Sequence, residues 1–286
     1  MITSEQRELR KRYVGSSDAA AIVGVDPYRT AADVWYEKSG LLDEREPNEN
    51  MQRGNFLERA IIDWAEVQIG KPLDRGLFKT SDEWPILCAN LDAKVMDEPH
   101  GVEGKSSVLE EEWGELGTDE MPERVIVQAH HQMLVANLEL VYVPVLIPVY
   151  RKFDFRMYVV KRDDALANHV GKICTDFWAN HVVAKVSPPL VRPSIETLKR
   201  IHRLKGEAVP VDGELVTTWQ RTNQYAIDAK KRADELKADV IRSLGQAEIG
   251  EFEGGRITYS ETTRRGYTVE ETTFRQLRFK AAKQGE

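Results

Sequence analysis

Apolar residues recur at helical spacing through the first seventy positions. Residues 18–23 form a short predicted helix, capped by Ser17 and stopped by Gly24, before a turn at Asp26-Pro27. Thr30 caps a second helix over 31–38, which Gly40 closes. A third runs over 50–68 to Gly70, with Leu57, Ile61, Trp64 and Ala65 on one face.

The pattern then changes to short, partly β-branched runs over 85–91, 92–97 and 102–109, broken by turns such as Pro99-His100-Gly101. The acidic stretch 110–123 reads as a solvated connection. A helix follows over 124–137, then strands over 141–150 and 153–160 joined at Arg151-Lys152, then a helix over 163–183. This order predicts an α/β layer with a small mixed β-sheet flanked by helices.

Prolines 188, 189 and 193 mark a linker, giving a core of residues 1–186 and an extension of 187–286. The extension holds a short helix over 194–204 and a long one over 214–244 that stops at Gly245. Apolar residues of the long helix recur every three or four positions, a stripe that predicts packing onto its own core. A DNA arm, an oligomer contact and a partner surface are its other uses. A β-hairpin of 256–262 and 267–269 is expected to turn at Arg264-Arg265-Gly266. Those arginines and Lys230-Lys231-Arg232 are candidate phosphate contacts.

Composition narrows the classes. Of 286 residues, 41% are hydrophobic and 30% charged, enough apolar material for a sizeable core. The first residues have no apolar signal core and no stretch approaches a membrane span, so a cytoplasmic protein is expected. Cys88 and Cys174 form no paired motif and read as ordinary buried thiols. The net charge of −7 is unevenly spread: residues 1–186 carry 22 Lys and Arg against 32 Asp and Glu, while residues 187–286 carry 18 against 15. A DNA contact on the acidic part must concentrate its basic residues locally, and part of the acidity suits divalent-cation ligands.

The sharpest chemical signal is Asp92 followed by Glu103-Gly104-Lys105. On adjacent strands, period-two geometry puts Glu103 and Lys105 on one face, and a turn brings Asp92 beside Glu103. Hard cations such as magnesium take oxygen ligands, which Asp92, Glu103 and the Gly104 carbonyl supply. Lys105 would orient a water or stabilise developing negative charge, the combination that phosphodiester hydrolysis needs. The spacing alone is weak, since Glu235-Leu236-Lys237 repeats it within the long helix.

Six blocks in order add specificity: 15–24 (GSSDAAAIVG), 27–30 (PYRT), 35–40 (WYEKSG), 51–58 (MQRGNFLE), Asn90-Leu91-Asp92 with Glu103-Gly104-Lys105, and 128–133 (QAHHQM). In these blocks the chain resembles the YqaJ-like viral recombinase and lambda exonuclease family of the PD-(D/E)XK nuclease superfamily, over about residues 10–180. The resemblance implies a restriction-endonuclease-like core. It also implies a magnesium-dependent 5′-to-3′ exonuclease on double-stranded DNA, leaving 3′ single-stranded tails for phage-type recombination. Two magnesium ions per site, replaceable by manganese, are expected with it. So are a single-strand annealing partner, a ring-shaped homotrimer, and the cytoplasm of a bacterial host of a phage or prophage.

By the same resemblance, Asp92 and Glu103 are metal ligands and Lys105 the catalytic lysine. Glu58 matches a helix-borne glutamate supporting that site, and Gln128 an active-site glutamine. Arg10 and Ser17 match residues that hold the DNA 5′-phosphate, with Arg12 competing for the arginine's place. Ser17 at a helix N-terminus suits an anion, and an arginine can clasp phosphate bidentately. The chain departs from the family pattern in three places. Gly104 replaces a larger apolar residue, Asn90 stands where some relatives have a phosphate-binding serine, and His130-His131 invites a metal or base role but reads better as helix packing. Another nuclease activity of the superfamily and a catalytically inactive DNA-end-binding scaffold are the competing expectations.

Overall fold

The computed structural model describes residues 11–42, 49–149, 152–189 and 191–261. The chain divides into two compact units, Met1–Arg203 and Leu204–Glu286. The division falls later than the proline-marked boundary at 186, because 187–203 packs on the first unit: the Ser194 N–H donates to the buried Asp33 carboxylate (2.7 Å), and Ile201 bridges Leu42.

The first unit opens with helices α1 (Ser16–Val23), α2 (Ala31–Lys38) and α3 (Glu49–Ile69). Thr30 caps α2 as expected, its hydroxyl accepting from the Asp33 N–H. Helix α1 starts earlier than its pattern suggests. Its cap is Gly15, because the Asp18 carboxylate reaches back to accept the Gly15 N–H (3.1 Å), which leaves Ser17 exposed in the first turn.

Five strand lines follow. β1 (Leu73–Thr80) and β2 (Cys88–Val95) are antiparallel. β1 was not anticipated, because its mostly exposed residues lack an alternating apolar set. The predicted runs 85–91 and 92–97 are instead one strand, β2, with Ala89, Leu91, Ala93 and Val95 buried in alternation. β3 (His100–Val102) and β4 (Lys105–Ser106) lie in the same register along β5 (Leu140–Val149), His100 opposite Leu140 and Lys105 opposite Val145. They form one strand line broken at Glu103-Gly104. β3 and β4 are parallel to β5, while β6 (Lys152–Lys161) closes the sheet antiparallel to it.

A single 3-10 turn (Glu110–Glu112) lies in the acidic stretch, ahead of α4 (Glu123–Ala136). α5 (Asp164–Phe177), capped by Asp163, runs on as a π-helical turn (Trp178–Val183). The larger apolar cluster joins α1, α4 and α5 to the sheet, and a smaller one seats Ile62 and Ala65 of α3 on Ala93, Val95 and Val102. Cys88 and Cys174 are buried free thiols. α6 (Ile195–Arg200) is shorter than expected.

The second unit contains α7 (Gly213–Leu244) and a hairpin of β7 (Ile249–Phe252) and β8 (Gly255–Thr258). The strand expected from 256 thus pairs with the segment before it, and the expected partner over 267–269, with Arg264-Arg265, lies outside the described residues. The stripe of α7 does not pack on a core of its own, since no residue of this helix is buried. No helix among the described residues is long and apolar enough to cross a membrane.

Candidate active site

The break in the β3–β4 line creates the site. Two main-chain pairs join β2 to β3, at Ala93–Val102 and Lys94–Gly101. Beyond them the Asp92 side chain takes over, its Oδ2 accepting the Gly104 N–H at 2.9 Å. Opposite Asp92 on the other side, Gly76 of β1 turns to φ +68° between the pairs Arg75–Ala93 and Leu77–Leu91.

Glu103 is buried, and its carboxylate accepts from one ammonium and two amide donors. Its Oε1 accepts from Lys105 Nζ (2.7 Å) and Gln128 Nε2 (2.6 Å), and its Oε2 from Gln132 Nε2 (2.5 Å). Lys105 Nζ also donates to Gln128 Oε1 (2.8 Å), which fixes the orientation of that amide. The expected Asp92, Glu103, Lys105 and Gln128 therefore meet at one place. Gln132, one helical turn beyond Gln128 on α4, was not anticipated. The i, i+4 spacing of two glutamines was the signal that could have found it.

Asp92, Glu103 and Lys105 line a cleft of about 300 Å³ with Glu58, Gly54 and Ile61 of α3, Gly104 and Ser106. Burial, then the negative charge of Glu103 and more weakly that of Glu58, pushes the Asp92 carboxyl well above the usual carboxylate range; the Lys105 ammonium and the Gly104 N–H oppose this. Among the described residues no three His, Cys, Asp or Glu side chains converge as a complete cation cage. Two carboxylates in like-charge repulsion, a main-chain carbonyl and Glu58 nearby still fit a hard cation that keeps most of its own water.

The departure at Gly104, where the family pattern has a larger apolar residue, has a packing reason. A Cβ there would lie 3.3 Å from Ile61 Cγ2 and from Ile62 Cδ1, so glycine lets α3 press directly against the break. His130 and His131 face away from the cleft. His130 Nδ1 meets the Ile126 carbonyl (2.9 Å) and its Nε2 accepts the Asp163 N–H, while His131 Nδ1 meets Ser16 Oγ (3.1 Å) in the core.

The expected phosphate residues are less gathered. Arg10 lies outside the described residues, Arg12 is exposed, and Asn90 is half-buried on β2 opposite Phe78. Ser17 sits at the α1 N-terminus, where Arg29 touches its carbonyl (3.4 Å) while bridging Asp18 and Glu37. Burial alone would raise the Asp18 carboxyl, but Lys38 and Arg29 hold it well below the usual range.

A mixed sheet flanked by helices, with acidic residues and a lysine meeting at a broken central strand, defines a protein of the restriction-endonuclease-like fold. Residues 6–139 match the YqaJ-like viral recombinase domain. It is similar to the uncharacterized protein YqaJ of Bacillus subtilis strain 168, 26% identical over 262 residues that span 84% of this chain and 78% of the relative. The fold is also that of the alkaline exonuclease LHK-Exo of Laribacter hongkongensis, at a TM-score of 0.51 and 18% identity, over 64% of this chain and 94% of that one. The same enzyme in complex with dAMP gives 0.51 at 20% identity, over 69% and 97%.

Proposed function

We propose that this protein is a magnesium-dependent DNA exonuclease that digests duplex ends 5′ to 3′ and leaves 3′ single-stranded tails for recombination by strand annealing. The observation that carries the reading is the meeting of Asp92, Glu103 and Lys105 at the strand break, within a chain whose match to the recombinase domain and exonuclease-like fold agree with it.

Asp92, Glu103 and the Gly104 carbonyl would hold magnesium, which would supply positive charge against the scissile phosphate and make a water more acidic. The chain's own groups do the positioning. Gln128 and Gln132 hold Glu103 in one rotamer, and the Gly104 N–H holds Asp92. Lys105 Nζ, anchored between Glu103 and Gln128, stands at the cleft to orient a water and stabilise negative charge on the phosphoryl oxygens. Glu58 adds a further carboxylate from α3. The α1 N-terminus at Ser17, with Arg10 or Arg12, is the proposed grip on a 5′-phosphate. Two ions per site, manganese as a substitute, a ring-shaped trimer, a strand-annealing partner and a cytoplasmic location in a bacterial host belong to the same reading.

The test is magnesium-dependent digestion of linear duplex labelled at the 5′ or the 3′ end, with Lys105→Ala as control. Early release of 5′-terminal nucleotides, abolished by Lys105→Ala, is expected. Cleavage of closed circles instead would indicate another nuclease of the superfamily, and binding without cleavage an inactive end-binding scaffold.

A further inference from the structure

Helix α7 presents an apolar stripe to solvent. Leu215 is 63% exposed and Trp219 40% at one end, and at the other Leu236 and Val240 are 48% and 47% exposed. Between them lie the exposed small residues Ala226, Ala229 and Ala233. With Thr222 these positions alternate steps of four and three from 215 to 240, the spacing of a two-helix seam rather than of a helix on a sheet.

The stripe is also a palindrome in size. Reversed upon itself, it sets Leu215 against Val240, Trp219 against Leu236, Thr222 against Ala233 and Ala226 against Ala229. Large residues meet at both ends, and the small residues between let the two backbones approach. A two-fold interface needs this property, because each contact from i to j recurs from j to i.

Charge selects the direction. In a parallel pair Arg232 would flank Lys237 of the other helix on both sides of the seam. In the antiparallel pair Arg232 flanks Tyr225, Lys230 flanks Asn223, Lys237 flanks Val216 and Asp239 flanks Thr218, so no like charges oppose. We propose that the α7 stripe is a self-association surface that takes a second copy of this chain, antiparallel, with Trp219 of each copy against Leu236 of the other. Whatever assembly the first unit forms, this seam doubles it.

Light scattering of the full chain at micromolar concentration tests the seam. An even number of chains is expected, and Ala229→Glu on the stripe should halve the mass. Ala238→Glu, the same change on the outer face of α7, should leave it unchanged; both substitutions suit an exposed helix. Direction is read by oxidation, with the native Cys88 and Cys174 buried. Trp219→Cys with Leu236→Cys should link two chains. Trp219→Cys alone should not, because its copies lie about 26 Å apart along the antiparallel seam. A monomer, a mass untouched by Ala229→Glu, or linking through Trp219→Cys alone would each overturn the proposal.

Discussion

At the scale of residues, the site depends on how Glu103 is held. Three donors hold its two oxygens and leave lone-pair capacity for a cation, and the Gln132 side chain is fully buried, so it acts on the cleft only through Glu103. Gln132→Met keeps the volume and removes the donor. The expected result is a roughly 10- to 100-fold loss in digestion rate or in apparent magnesium affinity. An unchanged magnesium titration would reduce Gln132 to packing.

His131 predicts a stability profile in acid. Burial pushes its pKa from the ordinary 6.5 down to about 4, so the folded chain keeps it neutral while the unfolded chain takes up a proton below about pH 6.5. Its contribution is complete above that pH and is lost as pH falls towards 4, amounting to about 3 kcal/mol over the window. Urea titrations between pH 7 and pH 4 should show this slope, and His131→Gln should flatten it. Asp18, with its carboxyl held low, contributes only in stronger acid: its share is present above about pH 4 and is lost below.

At the scale of elements, 187–203 behaves as a strap on the first unit. Asp33 Oδ1 takes the Ser194 N–H, Oδ2 takes the Thr30 N–H at the head of α2, and Asp33 is 1% exposed. A chain ending at residue 203 should keep the melting temperature of the first unit. One ending at 186 strands that carboxylate without its Ser194 partner and should melt about 5–10 °C lower. Equal melting temperatures for the two truncations would show that the strap contributes little. The broken β3–β4 line is the other decisive element. A continuous strand would have spent the Gly104 N–H on the ladder, whereas the break gives it to Asp92.

At the scale of the molecule, the acidic balance of residues 1–186 coexists with a cleft in which Asp92 and Glu103 already strain against each other. A cation there relieves a repulsion that the fold itself creates. The second unit is balanced, with 14 Lys and Arg against 14 Asp and Glu, and its long helix α7 has no buried residue, which suits a surface that meets another chain better than an enclosed core.

Local chemistry is what the sequence determined by itself. Thr30 as a cap, Gly24 and Gly70 as left-handed stops, the glycine and proline turns and the helical periods placed most elements, because each signal acts within a few residues. The Asp92 and Glu103-Gly104-Lys105 spacing likewise marked the candidate site, since a turn and two short strands suffice to bring it together. Tertiary structure alone decided the rest. Edge strand β1 has no apolar alternation to reveal it and is fixed by pairing with β2. Gln132 reaches Glu103 only because α4 packs on the sheet at that height. Gly104 is explained by α3, more than thirty residues away in the chain, and the α7 stripe was legible as apolar while its partner was not. A side chain's spacing reports which face it shares, but what lies against that face is settled by long-range packing.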